Sequence, residues 1–190
     1  MPLEHFVALL KMHGVSAVAD VRSAPYSRFT PDFNRERLSK TLEARGLKYL
    51  FFGEELGGRP KDASCYCDGR VDYVRMATKD WFNRGLERLI HNSEEDQVAL
   101  LCAEQDPVAC HRMLLVSRVL AERDVEISHI HSSGVLEAHS SAETRLLRLA
   151  GLPEGDLFRD RVDLLREAYQ IQSLKAAYVA PKVDPSMESH

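Results

Sequence analysis

The stretch LLCAEQDPVACHRMLL, at positions 100–115, concentrates residue types that do chemistry in proteins. Cys102 and Glu104 are two residues apart at the end of a predicted strand, so their side chains point to the same side of it. The next helix is predicted to begin at Asp106, and its first turn favours an anion or a thiolate. His111 lies about one turn further on. Cys102 is therefore a candidate nucleophile or wall thiol, and Glu104 or His111 is a candidate general acid or base.

Arg112 extends this polar group, but its spacing differs from that of a common phosphate-binding loop. The sixth residue after Cys102 is Val108, where a Cys-x5-Arg loop requires arginine, so we do not predict a tyrosine-phosphatase mechanism. The structural alternative is that Cys102 and Cys110 pack in the core, as free cysteines often do, while Glu104 pairs with Arg112. For Glu104, His111 and Arg112 we favour function, because charged groups at a sheet edge are costly to bury without a partner or ligand, whereas for the two cysteines both interpretations stay open.

Metal binding is a further alternative for the same region. Cys65 and Cys67 have a C-x-C spacing, which is shorter than the spacing of common zinc sites. A mixed site would form if the loops carrying four other residues converged: Cys102, Cys110, His111 and His129. We assign no metal ligand from the sequence, and the cofactor is unknown.

A second polar group follows the β-branched, mostly apolar run VSAVADVR, which predicts a buried strand. Asp20 and Arg22 share one face of that strand. Arg22 could grip a phosphate or carboxylate with two hydrogen bonds, and Ser27 in the following loop could add a donor. The alternative is an Asp20–arginine contact that locks the loop.

The motif LGGR adds Gly57, Gly58 and Arg59 to the candidate binding residues. Two adjacent glycines favour close approach of the backbone or a positive φ. No Gly-x-Gly-x-x-Gly follows a strand, and no P-loop motif occurs, so the common nucleotide-binding motifs are absent.

Composition limits the class of protein. A chain of 190 residues that is 44% hydrophobic suits one domain with a core. We predict no membrane span and no signal peptide, so the four cysteines are expected to be reduced thiols in a cytoplasmic protein. The net charge of -4 disfavours a nucleic-acid footprint over the whole domain. However, positions 1–61 hold ten Lys or Arg against seven Asp or Glu, which allows a local anion site.

Strands predicted at 15–22, 48–52, 98–104 and 126–133 alternate with helices. This pattern predicts an α/β fold: a three-layer sandwich with a mainly parallel sheet, helices on both faces, and additional C-terminal helices. Ligands of such sheets bind beyond the carboxyl ends of the strands, where these polar residues fall. We expect an α/β domain at 1–139, a helical extension at 140–180 and a disordered tail at 181–190.

The motifs ADVRSAPYSRF, LGGR, LLCAEQDPVACHR and HI, in this order, resemble those of the DUF488 family of uncharacterised α/β proteins. The resemblance covers about residues 3–139 and strengthens the site without implying a reaction. Family members usually begin with a short strand similar to TIGHS before the first helix, and this chain starts at that helix. The absence of such a strand would expose sheet edges and remove a site residue. The matching positions are Asp20, Arg22, Pro25, Ser27, Leu56, Gly57, Gly58, Cys102, Glu104, Cys110, His111, Arg112 and His129.

The expected function is that of a small enzyme acting on an anionic substrate, such as a nucleotide or a nucleic-acid end. Two alternatives are a binding module without chemistry, whose affinity would fall steeply with salt, and a metal-dependent hydrolase. A small anion is the expected partner, a nucleic acid or a second copy of the chain are alternatives, and no membrane is expected. The candidate catalytic residues are Cys102, Glu104 and His111, and the candidate substrate-binding residues are Asp20, Arg22, Ser27, Gly57, Gly58, Arg59, Arg112 and His129.

Overall fold

The computed structural model of the chain describes residues 1–181, in which helices and strands alternate. The helices are α1 (Leu3–Met12), α2 (Arg35–Ala44), α3 (Tyr73–Ala77), α4 (Asp80–Ser93), α5 (Arg118–Ala121), α6 (His139–Ala150) and α7 (Arg161–Ala176). The strands are β1 (Ala17–Asp20), β2 (Lys48–Phe51), β3 (Tyr66–Cys67), β4 (Arg70–Val71), β5 (Val98–Leu101), β6 (Ser128–Ile130) and β7 (Leu136–Ala138). No helix of this part of the chain has both the length and the apolar character needed to cross a membrane.

A three-stranded parallel sheet in the order β2-β1-β5 forms the centre of the fold. Every residue of the middle strand β1 is buried, as expected for the apolar run that predicted it. Asp20, the last residue of β1, is level with Phe51 and Leu101 at the ends of its neighbours. The α/β class and the parallel sheet are confirmed, and the three-layer arrangement stays a prediction.

The expectation that the strand at 126–133 joins this sheet was wrong. The observed strand β6 pairs antiparallel with β7 in a separate hairpin, closed by a hydrogen bond from the His131 amide to the Val135 carbonyl. β6 thus pairs with β7, which is close in sequence, and not with β5, whose outer edge is unpaired within residues 1–181. A cavity of about 870 Å³ runs along that edge, with Leu10 and Ile130 among its lining residues.

The helix predicted from 106 to 123 is broken at Cys110. Asp106 begins the segment as predicted, and its carboxylate accepts a hydrogen bond from the Val108 amide. The first turn, Pro107–Ala109, is a 3-10 turn, and Cys110 then has an extended backbone with φ -130° and ψ 140°. A π-helical segment, Arg112–Ser117, and α5 follow. Because of this break, the Cys110 side chain points toward Glu104, a direction that it would not have in a continuous helix.

The C-terminal helices α6 and α7 share the core of the parallel-sheet region. They pack against each other and against the Pro107–Ala109 turn. Arg145 on α6 forms ion pairs with both Asp106 and Glu137, so it ties the helix start to the hairpin. The division at 139 stays a prediction, and the predicted tail falls almost wholly on 182–190, outside the described residues. The core residues from these helices include Leu146, Leu147, Leu164 and Ala168.

A buried ion pair fixes the loop after β1. Arg22 donates from Nε and from one terminal nitrogen to the two carboxylate oxygens of Asp20, at 2.8 and 2.6 Å. Tyr49 donates to the same carboxylate at 2.7 Å, and Arg22 also donates to the carbonyl of Phe33 at 2.9 Å. The Asp20 side chain is fully buried and that of Arg22 is 13% exposed, so the loop is anchored to the sheet from inside.

We predict that Asp20→Ala lowers the free energy of unfolding by about 3–5 kcal/mol, because it leaves the guanidinium of Arg22 buried without its partner. The matched control is Asp32→Ala, which breaks the exposed pair with Arg37 and should cost about 0–1 kcal/mol. Urea unfolding of both variants measures the difference. Equal, small losses would contradict a structural role for the buried pair.

Candidate functional site

The candidate site lies where β1 and β5 end. Cys102 directly follows β5, and Val21 directly follows β1. The turn at Pro107–Ala109 brings the chain back, so that Cys110 and His111 lie beside the strand ends. Cys102, Cys110 and His111 therefore lie at the carboxyl edge of the sheet, where ligands of parallel sheets bind.

Two thiols, a carboxylate and an imidazole form one compact cluster. Oε2 of Glu104 lies 2.9 Å from the sulfur of Cys102 and 3.2 Å from the sulfur of Cys110. Nδ1 of His111 lies 3.4 Å from the first sulfur and 4.0 Å from the second. The four side-chain donor atoms all fall within 4.8 Å of one another. We call these four residues the Cys–His–Glu cluster.

The orientation of the His111 ring is fixed from two sides. Its Nε2 lies 3.0 Å from the carbonyl oxygen of Val21, and because a carbonyl only accepts, Nε2 carries a proton. Nδ1 therefore faces the two sulfurs. On the other side Gly58 packs so closely that a Cβ there would lie 2.9 Å from Cγ of the ring. This contact gives the second glycine of LGGR its role.

The electrostatics favour a thiolate at Cys102 rather than at Cys110. The Cys110 thiol, by hydrogen bonding, lowers the pKa of Cys102 to about 6; His111 adds to this shift, while burial and the Glu104 carboxylate oppose it. The same shared proton raises the pKa of Cys110 strongly. Burial disfavours the charged form of His111, yet the Cys102 sulfur raises its pKa above the ordinary value. Burial likewise opposes the charge of Glu104, but the two thiols lower its pKa.

The cavity beside β5 reaches this cluster. Cys102 and Glu104 line it together with Arg22, Arg112 and His129. Arg112 is distinctive among the residues that line this cavity, because its Nε is buried and has no hydrogen-bond partner among the described residues. Its terminal nitrogen makes one long contact, 3.4 Å, to the carbonyl of Gln105. The structure thus brings these five predicted site residues to one cavity, which Ser27 also lines.

The side chain of His129 lies in surroundings that differ from those of the substrate-binding residue we predicted. Its Nε2 lies 3.1 Å from Nδ1 of His139, and His139 contacts the hydroxyl of Tyr169 at 3.2 Å. Burial, with His139 and Arg112 adding to it, lowers the pKa of His129 to about 3. A neutral His129 is a hydrogen-bonding group of the wall and lends no positive charge to an anion. It is also not a member of the four-residue cluster, where Glu104 occupies the place that we had considered for it.

Two predicted binding residues, Ser27 and Gly57, shape the loops around the site. Ser27 Oγ accepts hydrogen bonds from the amides of Phe29 and Thr30, which closes a turn. Gly57 lets the chain pass Gly53, since a Cβ there would lie 2.2 Å from the carbonyl oxygen of that residue. These contacts are structural, and a direct part in binding stays a prediction.

Arg59 lies apart from the cavity that reaches Cys102. Its amide donates to Ser23 Oγ at 2.9 Å, and its guanidinium stacks 4.6 Å from the ring centre of Tyr178. It lines a separate cavity of about 1070 Å³, together with Arg35 and Lys61. Arg59 and Arg112 therefore line different cavities, which does not support a shared anion site.

Cys110 and the Val21 carbonyl were not among the predicted catalytic residues. A cysteine inside a predicted helix indicates packing, and only the break at Cys110 turns its sulfur toward Glu104. The carbonyl of Val21 carries no sequence signal at all. The Asp106 N-cap signal and Pro107 were the features that could have placed the turn near the strand end.

We predict that Gly58→Ala lowers the free energy of unfolding by about 1–3 kcal/mol, because the added methyl group overpacks the ring of His111. Gly155→Ala is the control, since a Cβ at Gly155 meets no atom within 4 Å. Urea unfolding checks both variants. A Gly58→Ala protein as stable as the Gly155→Ala protein would show that the loop does not press on the ring.

Comparison with known proteins gives a family match. A family model described as "Domain of unknown function DUF488" matches residues 2–119. No curated protein and no solved structure matches the chain. The matched region contains the whole Cys–His–Glu cluster, and it covers more than half of the sequence. The resemblance inferred from the motifs is confirmed: the chain belongs to the DUF488 family.

Proposed function

We propose that this protein is a small enzyme that acts on an anionic, phosphate-bearing substrate, with Cys102 as its nucleophile. The observation that carries the proposal is the 3.4 Å approach of the Cys102 sulfur to Nδ1 of His111, at the wall of a cavity. A thiol beside an imidazole whose other nitrogen is held by a third group is the arrangement that activates cysteine for attack. Here the third group is the carbonyl of Val21.

The reaction we propose has two steps. The Cys102 thiolate attacks the electrophilic atom of the substrate, so that a bond to sulfur forms while the bond to the leaving group breaks. His111 donates its Nδ1 proton to the leaving group. Water then attacks the substrate–sulfur bond, His111 takes the proton of that water, and the Cys102 thiolate is released.

Arg112 is the residue best suited to hold the substrate anion. Its guanidinium makes one long contact, to the Gln105 carbonyl, and no ion pair with any described residue, so an anion can be bound without breaking a protein ion pair. Arg22 lines the same cavity, but its guanidinium is already engaged by Asp20. We therefore assign Arg112 to the anion and Arg22 to the cavity wall.

Substrate class and cellular setting follow from the same chemistry. A nucleotide or a nucleic-acid end supplies the phosphate that an arginine binds, and we propose one of these as the substrate. A thiolate nucleophile requires reduced cysteines, which favours a cytoplasmic enzyme. Nothing in this mechanism requires a membrane or a second copy of the chain.

We predict that Arg112→Ala lowers turnover by about 100-fold or more without unfolding the protein, because it removes the anion contact. Glu104→Gln should also lower turnover, because it removes the carboxylate in contact with the sulfurs of Cys102 and Cys110. A panel of phosphate esters and nucleotides, incubated with the wild-type chain and screened for any new product by mass spectrometry, supplies the assay. Cys67→Ser, which changes an exposed cysteine outside the cluster, should keep full activity. Full activity in both site variants would contradict the assignment.

The binding-module alternative gives a different result in the same screen. It predicts nucleotide or nucleic-acid binding that weakens steeply as salt is raised, with no turnover of any bound ligand. Turnover that is lost in Cys102→Ser would rule this alternative out.

A further inference from the structure

We propose that the Cys–His–Glu cluster also binds one divalent cation of the zinc class, held by both sulfurs, by a carboxylate oxygen of Glu104 and by Nδ1 of His111. This inference goes beyond the proposed function and does not depend on it. It concerns a second state of the same four side chains, in which a metal ion takes the place of the shared protons.

Four of the six distances between the donor atoms are close to those of a tetrahedral site. Zinc bonds of ordinary length to sulfur, nitrogen and oxygen place the donors about 3.5–3.8 Å apart. The two sulfur–oxygen distances are 2.9 and 3.2 Å, and the two sulfur–nitrogen distances are 3.4 and 4.0 Å. Shifts of less than about 1 Å would bring all of them to the expected values.

The charges in the cluster favour a cation. One carboxylate oxygen of Glu104 lies in contact with both sulfurs. Two thiolates and a carboxylate this close repel one another, and a single imidazole cannot offset them. A divalent ion at their centre stabilises the deprotonated form of all three.

The surroundings of the cluster match those of metal-binding residues. Ligating histidines almost always donate their second ring N–H to a carbonyl or a carboxylate, and Nε2 of His111 has the Val21 carbonyl at 3.0 Å. The backbone amide of Arg112 donates to the sulfur of Cys110 at 3.3 Å, which stabilises a thiolate there. The thiol mechanism gives Cys110 no step of its own, whereas metal binding gives its buried sulfur a direct role.

Four protein donors fill a tetrahedral zinc shell. Catalytic zinc sites keep one position for water, while sites with four protein ligands are closed. This cluster therefore fits a closed site and not the metal-dependent hydrolase considered from the sequence. Because the metal would occupy the sulfur of Cys102, the zinc-loaded protein cannot use that sulfur as a nucleophile. Zinc is thus a reversible block of the thiol chemistry.

The test is a titration of the full chain, reduced and stripped of metal, with Zn²⁺ against a competing chromophoric chelator. We expect one Zn²⁺ per chain, and with Co²⁺ we expect the sulfur-to-metal absorption of a tetrahedral thiolate site. Cys110→Ser should weaken Zn²⁺ binding by more than about 100-fold, since losing a supporting residue alone costs about 10–100-fold. Glu104→Gln, a change at an exposed side chain, should weaken it as well, and it serves if Cys110→Ser does not fold.

Cys67→Ser is the matched control and should bind Zn²⁺ like the wild type. The proposal is overturned if the wild type binds no Zn²⁺, if both cluster variants bind it as tightly as the wild type, or if Cys67→Ser is the variant that loses it. Failure of the proposed function looks different: Zn²⁺ would bind while Cys102→Ser kept full turnover. The converse, turnover that needs Cys102 without Zn²⁺ binding, would overturn only the metal site.

Discussion

The hydrogen bond between Nε2 of His111 and the carbonyl of Val21 is the contact on which the site depends. It joins the end of one central strand to the segment that follows its neighbour, and it fixes which ring nitrogen faces the sulfurs. Without it the ring could rotate, and neither a thiolate partner nor a metal ligand would be held in place. Both proposed states of the cluster use the same fixed nitrogen, so one backbone carbonyl supports each of them.

The rest of the fold holds the Val21 carbonyl and the His111 ring in their relative positions. The parallel pairing of β1 with β5 sets Val21 beside the chain that leads to Cys102. The buried pair of Asp20 and Arg22 holds the loop after β1, and Gly58 closes the far side of the ring. From outside, the ion pairs of Arg145 anchor the turn that begins at Asp106. The site is therefore built from strand ends and short turns, which are rigid supports for chemistry.

Much of this arrangement follows from the sequence by physical rules. The apolar runs predict the strands, the parallel topology predicts a shared edge, and Asp106 with Pro107 predicts the start of the turn. The sequence did not reveal the break at Cys110, because its residues have ordinary helix-forming character and only tertiary contacts select the extended backbone. It also misplaced the strand at 126–133, since a local hairpin partner outcompetes a distant sheet edge. His129 was grouped with the site because the strand at 126–133 was expected to join the sheet and because the position matches the family motif, and its buried pairing with His139 depends on helix α6, whose position no local pattern gives.

The most direct test of the central claim is the rate at which each cysteine of the metal-free, reduced chain is alkylated at neutral pH, resolved by peptide mass spectrometry. Cys67 is exposed, Cys102 is half-buried, and Cys65 and Cys110 are buried. If His111 and Cys110 hold Cys102 as a thiolate, Cys102 reacts faster than Cys67 in spite of its lower exposure. If the four rates simply follow exposure, with Cys67 fastest, the cluster does not activate Cys102 and the account is wrong.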